Sequence, residues 1–192
     1  MLCAGVATFN ALKRCGAEAG DTVAILGIGG LGHMAIQYAR HMGFRVVAVG
    51  RGGDIAEDAL ALGAHVYLDN HQEDVAAKLQ AMGGAQAILT TIAHPEAINA
   101  LLGGLAPRGQ LVQLGVGKEP LTVTPGLLVG GERSVVGSLT GSPFDSEKTL
   151  NFSVLSGARP MIETLPLEQA NTAYRRMTSG EAKFRMVLTM DG

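Results

Sequence analysis

The sequence predicts an α/β fold in which helices cover both faces of a parallel six-stranded sheet, an arrangement called doubly wound. Short apolar segments of strand length alternate with helical patterns from residue 22 to residue 155. A cluster of glycines lies where the first strand meets the helix that follows it. Glycines also end three of the predicted helices, at Gly43, Gly63 and Gly83. These patterns together indicate strands joined by crossover helices, which is the connection that parallel strands require.

Each predicted element has its own local signal. The strands are short runs of apolar and β-branched residues, at 22–26, 45–49, 66–68, 87–92, 110–114 and 134–138. The helices combine helical spacing of apolar residues with start and stop signals, and lie at 31–42, 54–62, 73–82, 95–102 and 142–155. Pro95 stands in a first helical turn, and Ser142 followed by Pro143 is typical of a helix start. The irregular segment 115–133 is predicted to be a loop that carries a short helix.

The last part of the chain departs from this alternation. Residues 167–177 have a helical pattern and residues 184–190 a strand pattern, and a six-stranded domain has no place for either. The predicted division is therefore a sheet domain of residues 1–158 and a C-terminal segment of residues 159–192. We expect this segment to need another surface to pack on.

Composition argues against several classes of function. The chain has 192 residues, of which 47% are hydrophobic, enough for one domain with a sizeable core. A net charge of -2, 4% aromatic residues and no Trp provide neither a basic surface nor a stacking platform for nucleic acid. No apolar stretch has the length of a membrane span, and no basic signal-peptide region begins the chain. With only Cys3 and Cys15 present, a reduced, cytoplasmic setting is expected.

The glycine cluster has the spacing of a dinucleotide-binding turn. Gly27, Gly29 and Gly32 form G-x-G-x-x-G between a predicted strand and a predicted helix. The first permits a tight turn, the second lets the backbone approach a pyrophosphate, and the third lets the helix pack closely on the sheet. Because the N–H groups of a helix start attract phosphate oxygens, Gly30 and Leu31 belong to the same predicted site. The flanking strand and helix favour this Rossmann-type interpretation over a purely structural glycine turn.

The residues after the second strand bear on which dinucleotide binds. An acidic residue commonly ends this strand and binds the adenosine ribose, which disfavours the 2′-phosphate of NADP. Here Gly50 takes that place and Arg51 follows it. A guanidinium beside an open position suits a phosphate dianion, so the sequence favours NADP(H) over NAD(H). In the alternative interpretation Arg51 lies on the adenine or points into solvent, and Asp54 reaches the ribose.

Six short segments, spread over nearly the whole chain, carry a resemblance to one enzyme family. They are LCAGV at 2–6, GIGGLGH at 27–33, LGA at 62–64, LG at 114–115, VVGS at 135–138 and PLEQA at 166–170. In this order they resemble the zinc-containing, medium-chain alcohol dehydrogenases, especially the cinnamyl-alcohol and yeast-like branches. The resemblance implies hydride transfer between an alcohol or aldehyde and a nicotinamide dinucleotide, with zinc polarising the substrate oxygen. It covers only the second half of such an enzyme, so the N-terminal catalytic domain is expected to be missing.

The resemblance makes Cys3 the third ligand of the catalytic zinc in a full-length enzyme. A catalytic zinc needs about three protein ligands and an open position. Cys15 has the wrong spacing, and none of the scattered histidines, at positions 33, 41, 65, 71 and 94, is expected to bind metal. This chain alone is therefore expected to bind the dinucleotide without zinc, and to turn over little or nothing.

By the same resemblance, further cofactor contacts lie at the carboxyl ends of later strands, where ligands bind in open α/β sheets. They are Thr91 and Ile92 after the fourth strand, Leu114, Gly115 and Val116 after the fifth, and Ser138, Leu139 and Thr140 after the sixth. Ordinary core packing is the alternative for the apolar members. In the family the chain returns to the catalytic domain after the sixth strand and its helix, and residues 159–192 match this last part. We expect them to be poorly anchored or packed on a partner chain.

Two other functions fit the sequence less well than the dehydrogenase does. A stand-alone nucleotide-binding or regulatory module is the main alternative, although it would need neither Cys3 nor the C-terminal segment. A methyltransferase is disfavoured by the third glycine of the turn and by Arg51.

The apolar pair Val135-Val136 lies near a sheet edge, and an unpaired edge invites pairing with a second copy. A homodimer is therefore predicted, as the resemblance also implies.

Overall fold

Helices and strands alternate along residues 1–190, which are the residues that the computed structural model describes. The strands are β1 (Thr22–Leu26), β2 (Arg45–Gly50), β3 (Val66–Asp69), β4 (Ala85–Thr90), β5 (Leu105–Gln113), β6 (Ser134–Gly137), β7 (Ile162–Pro166) and β8 (Arg185–Thr189). The helices are α1 (Ala4–Lys13), α2 (Gly32–His41), α3 (Ala56–Ala61), α4 (Val75–Ala81), α5 (Pro95–Leu101), α6 (Pro125–Gly131), α7 (Pro143–Ser156) and α8 (Ala170–Ser179).

Six of the strands form one sheet in the order β3-β2-β1-β4-β5-β6. Every neighbouring pair is parallel, and in the middle Ala24 of β1 is paired with Val47 on one side and Ile88 on the other. The predicted doubly wound parallel sheet is therefore confirmed. The strand order reverses between β1 and β4, and ligands of open α/β sheets bind in the crevice at that point.

The core lies on both faces of the sheet because alternate residues of a strand point to opposite sides. Val23 and Ile25 belong to a buried cluster that includes Tyr38 of α2. Ala24 and Leu26 belong to a second buried cluster that includes Leu79 of α4. Burial on two faces explains why β1 is apolar throughout and buried at every position.

The observed elements differ from the predicted ones where the sequence pattern is weak. Strand β5 begins at Leu105, earlier than predicted, because its first part carries a proline and two exposed residues that hide the pattern. The predicted helix 54–62 starts with a 3-10 turn at Gly53–Ile55 before α3. Strand β7 was not predicted, because its residues are at most half-buried and lack a strand-like alternation.

The C-terminal segment forms a small parallel sheet of β7 and β8 with α8 between them. The backbone of Arg159 is hydrogen-bonded to the side chain of Gln37 on α2. Farther along, Lys183 is ion-paired with Asp58 of α3, and Phe184 stacks on the His33 ring. The expectation of poor anchoring is thus corrected at Arg159, Lys183 and Phe184. The division at residue 158 stays a prediction.

Within residues 1–190, no helix combines the length and the hydropathy that crossing a lipid bilayer requires.

Candidate dinucleotide-binding site

The glycine turn lies at the carboxyl end of β1 and has little room for side chains. Gly27 has φ of +92°, and a Cβ there would lie 2.6 Å from Thr91 Oγ1 and from the Ile92 side chain. A Cβ on Gly32 would overlap the carbonyl of Gly27. A Cβ on Gly29, in contrast, would meet nothing within 4 Å. The first and third glycines are therefore required by packing, and the second leaves the loop open to an approaching molecule.

The loop presents hydrogen-bond donors at its exposed side. In the part of the chain that the structure describes, the N–H groups of Gly30 and Leu31 donate to no protein acceptor. Helix α2 begins at Gly32 without a side-chain cap, so the dipole at its N-terminus is not offset there. Such an arrangement is typical of anion binding by a helix start.

A cation from the far end of the chain lies on this loop. The Arg185 side chain at the start of β8 covers Gly30, since a Cβ on that glycine would lie 3.1 Å from Nη1 of the guanidinium. Sequence reasoning missed Arg185 because nothing local indicates that β8 returns to the glycine turn. Donors and a guanidinium therefore meet at the point where the sequence predicted a pyrophosphate.

A cavity of about 470 Å³ opens beside the turn, at the carboxyl ends of β1, β2 and β4. Four of its lining residues belong to the predicted site, namely Gly27, Gly50, Arg51 and Ile92. Sequence reasoning missed nine others, namely Leu26, Ile28, Val49, Ile55, Asn70, His71, His94, Glu96 and Ala97. Both apolar and polar residues line the cavity, which is the usual composition of a small-molecule site.

Gly50 does not leave the open position that the sequence suggested. A Cβ there would lie 2.8 Å from the Tyr67 hydroxyl and 3.1 Å from Ile28 Cδ1. That hydroxyl donates a hydrogen bond to the Gly52 carbonyl. Burial, reinforced by nearby carboxylates, raises the pKa of Tyr67 to about 12, so the phenol stays protonated and keeps donating. The ring of Tyr67 thus fills the space beside Gly50 and fixes the turn that follows.

Arg51 itself is exposed on the rim of the cavity. Within residues 1–190 its guanidinium forms neither an ion pair nor a hydrogen bond. The Asp54 carboxylate turns back toward Gly52, and lies 2.8 Å from the place of a Cβ on that glycine. Arg51 therefore remains available to an anionic ligand.

The ends of β4 and β5 are tied to the glycine turn and to each other. Thr91 Oγ1 is 3.1 Å from the Leu26 carbonyl and 3.2 Å from that of Gly27, so this hydroxyl holds the turn. A Cβ on Gly115 would overlap the Ile92 carbonyl, which also accepts a hydrogen bond from Gln113 at 3.0 Å. Gln113 was missed by the sequence analysis, because a polar residue inside a strand gives no sign of its partner.

The remaining predicted contacts divide into packed and exposed residues. Leu114 packs against the core, and the Thr140 carbonyl accepts a hydrogen bond from Asn10 at 2.8 Å. Ser138 donates its N–H to the Gln113 carbonyl and stays at the strand end. Val116 and Leu139 are 90% and 85% exposed. All of them lie at the predicted edge, but none lines the cavity.

Cys3 is exposed and stands immediately before α1, and neither cysteine is in a disulfide. Across residues 1–190, no three side chains of His, Cys, Asp or Glu lie close enough together to hold a metal ion. These residues therefore do not by themselves fit a catalytic zinc, which needs about three ligands.

Comparison with known proteins agrees with this geometry. The family model described as zinc-binding dehydrogenase matches residues 30–154, more than half of the chain. The chain belongs to this family. It is 44% identical to the alcohol dehydrogenase patD of Penicillium expansum, over 99% of this chain and 56% of that protein. It is 33% identical to the NADP-dependent alcohol dehydrogenase C 1 of Mycolicibacterium smegmatis, over 98% and 53%. The chain thus spans about half the length of the curated relatives it matches.

Solved structures of a cinnamyl alcohol dehydrogenase, a CAD and a reductase superpose on nearly the whole chain. A cinnamyl alcohol dehydrogenase of Sorghum bicolor has a TM-score of 0.86 and 29% identity, covering 100% of this chain and 56% of that one. The CAD of Helicobacter pylori, complexed with NADP(H), has 0.83 and 30%, covering 98% and 53%. The acetophenone reductase of Geotrichum candidum, in complex with NAD, has 0.86 and 25%, covering 97% and 53%. The predicted resemblance to the second half of zinc-containing medium-chain alcohol dehydrogenases is confirmed.

Proposed function

We propose that this chain is the cofactor-binding part of a zinc-dependent alcohol dehydrogenase that prefers NADP(H). The observation that carries the proposal is the glycine turn, whose unpaired amides and overlying Arg185 stand beside the cavity. The names of its relatives, alcohol dehydrogenases from a fungus and a bacterium, support the activity. When bound, the nicotinamide would take a hydride from an alcohol or give one to an aldehyde.

The residues of this chain would bind and orient the dinucleotide. The adenosine half fits the cavity, where Ile28, Ile55 and Ile92 offer apolar surface to the adenine. The pyrophosphate would take hydrogen bonds from the N–H groups of Gly30 and Leu31 and the charge of Arg185. The nicotinamide would then extend toward the carboxyl ends of β5 and β6, where Gly115 and Ser138 lie.

Zinc enters the proposal only through Cys3. In a longer protein its exposed thiolate would supply one ligand, and the other ligands would have to come from outside residues 1–190. The chain alone is therefore expected to bind the dinucleotide without catalysing hydride transfer. Substrate specificity would reside mostly in the part of such a longer protein that lies outside this chain.

Arg51 is proposed to select the 2′-phosphate of NADP(H). Its free guanidinium lies at the carboxyl end of β2, beside the turn held by Tyr67. A charge-assisted hydrogen bond to a phosphate dianion is stronger than a neutral one. We therefore expect calorimetric titration, at matched ionic strength, to give a lower Kd for NADPH than for NADH.

The variant Arg51→Gln tests this selection directly. Loss of one charged contact should raise the Kd for NADPH by about tenfold, equivalent to about 1.4 kcal/mol, and change that for NADH less than about twofold. Arg45→Gln removes an exposed arginine at the opposite end of β2 and should change neither. Tighter binding of NADH by the native chain would contradict the role of Arg51, and binding of neither cofactor would contradict the site. Oxidation of an alcohol by the chain alone would contradict the expected lack of turnover.

A further inference from the structure

A buried histidine stands between the glycine turn and the C-terminal segment. His33 lies in the first turn of α2 and is 0% exposed. Its Nδ1 is 3.1 Å from the Gly29 carbonyl, and its Nε2 is 3.3 Å from the backbone N of Met161. A carbonyl oxygen can only accept a hydrogen bond, and a backbone N–H can only donate one. The proton must therefore be on Nδ1, and Nε2 must offer its lone pair.

The same ring is joined to Arg185 through the segment itself. Phe184 stacks on the imidazole with ring centroids 5.0 Å apart and planes 9° apart. The Phe184 N–H donates to the Met161 carbonyl at 3.3 Å, so the residues directly before β7 and β8 meet at this ring. Arg185 follows directly and covers Gly30. His33 thus contacts both the glycine turn and Phe184, the residue directly before Arg185.

A neighbouring side chain provides a natural comparison. Gln37 lies one turn after His33 on the same face of α2. Its Nε2 is 3.0 Å from the Arg159 carbonyl, and its Oε1 accepts the Arg159 N–H at 3.1 Å. Gln37 therefore also holds the segment. Its Nε2 is also 3.1 Å from the His33 backbone carbonyl, one turn back along the helix, but in the described chain it has no hydrogen bond to the loop from Gly27 to Gly32.

We propose that His33 is a positioning residue: as a neutral imidazole with its proton on Nδ1, it couples the glycine turn to the C-terminal segment that carries Arg185. The inference rests on the proposed dinucleotide site. A pyrophosphate that orders the turn would hold the Gly29 carbonyl in place, and with it the ring and the Met161 amide. Coupling of this kind is reciprocal. If a bound dinucleotide stabilises the C-terminal segment by some factor, loosening the segment should weaken dinucleotide binding at the glycine turn by the same factor.

The surroundings of the ring keep it neutral. Burial is the main cause that lowers the pKa of His33, and the Arg185 guanidinium and the amino group of Met1 act in the same direction. The carbonyls of Gly29 and Gly30 oppose them. Protonation would place a hydrogen on Nε2 directly against the Met161 N–H, so the hydrogen bond to the segment would be lost.

The first experiment examines the ring without any cofactor, in the full 192-residue chain labelled with ¹⁵N. At about pH 7 the ring shifts of His33 should be those of the neutral tautomer protonated on Nδ1. In His33→Asn the amide nitrogen can still donate to Gly29, but the acceptor for Met161 is lost. Exchange of the Met161 amide should then be faster by about five- to tenfold, as for one lost hydrogen bond. An Nε2-protonated or doubly protonated ring, or unchanged exchange in the variant, would overturn the proposal.

The second experiment uses NADH as the probe, because it has no 2′-phosphate that titrates near neutral pH. NADH should slow exchange of the Met161 amide in the native chain, and this slowing should disappear in His33→Asn. In Gln37→Ala the Arg159 amide should exchange faster, yet NADH should still slow Met161. If NADH binds and leaves Met161 exchange unchanged, the coupling is refuted. If NADPH binds the native chain and NADH does not, NADPH replaces NADH as the probe. If neither binds, the proposed site is wrong, and the ring tautomer still decides the role of His33.

Discussion

Gly50 shows how a neighbouring strand can occupy the space that a glycine leaves. The sequence indicated an open position there, since Gly50, the last residue of β2, has no side chain. In the fold, β3 is paired with β2 so that Tyr67 lies opposite Ala48, and its hydroxyl reaches the face of Gly50. The register of two strands decides this contact, and register cannot be obtained from the residues of one strand alone. The missing acid at this position therefore has a cause in packing, apart from the proposed cofactor preference.

This packing predicts the result of restoring the acid. In Gly50→Asp the new Cβ would clash with the Tyr67 hydroxyl and with Ile28, so we expect a loss of about 1–3 kcal/mol in the free energy of unfolding. The loss should be smaller in a Tyr67→Ala background, because the obstructing ring is then gone. Urea unfolding of the single and double variants measures this coupling.

Gly53→Asp serves as the matched control, because a Cβ there meets nothing within 4 Å. It should change the free energy of unfolding by less than about 0.5 kcal/mol. Equal effects of the acid at positions 50 and 53 would show that Tyr67 does not fill the site.

At the scale of elements, helix α7 is the case in which a local signal predicts both a start and its chemistry. The pair Ser142-Pro143 predicted the helix start, and Ser142 is its N-cap, with Asp145 completing a capping box. The hydroxyl accepts the Asp145 N–H at 3.2 Å, and the carboxylate accepts the Ser142 N–H at 2.9 Å. Hydrogen bonds from the Ser142 N–H and hydroxyl lower the pKa of Asp145. Its contribution is therefore present above the unfolded-state pKa and lost as pH falls through the folded one.

Removing the N-cap of α7 should lower the free energy of unfolding. Ser142→Ala deletes one partner of the box, and we expect a loss of about 1 kcal/mol in the free energy of unfolding. Ser146→Ala is the control, since that hydroxyl only donates to the Ser142 carbonyl, at 3.2 Å, within the helix. Equal losses in the two variants by thermal or urea unfolding would mean that the cap contributes nothing beyond a surface hydroxyl.

The elements also show where prediction from the sequence stops. The six strands of the sheet and the glycine turn have signals within ten or so residues, so they were predicted with small errors at their ends. Strand β7, the pairing of β7 with β8, and the arrival of Arg185 at Gly30 depend on contacts between distant parts of the chain. For His33 the sequence indicated only that it binds no metal, whereas its two hydrogen-bond partners are Gly29 and Met161. No pattern around the residue could reveal the second of them.

At the scale of the whole molecule, one edge of the sheet carries exposed apolar side chains. Strand β6 is the last strand in the sheet order, so one side of its backbone is not paired within residues 1–190. Val129 before it and Leu139 after it are 79% and 85% exposed. An unpaired edge flanked by apolar surface favours association with another strand. We therefore retain the predicted homodimer as a proposal, with β6 of each copy at the interface.

Leu139→Glu tests this assembly. A carboxylate at the edge would be repelled by its counterpart in a two-fold interface and would be costly to bury. The dissociation constant of the dimer should therefore be at least about tenfold higher for the variant than for the native protein, equivalent to about 1.4 kcal/mol. Leu155→Glu changes an equally exposed leucine, 85% exposed on α7, and should leave the assembly unchanged. Sedimentation equilibrium should give twice the chain mass of 19.8 kDa for the native protein and this control. A native monomer would refute the homodimer, and equal dissociation of both variants would place the contact elsewhere than β6.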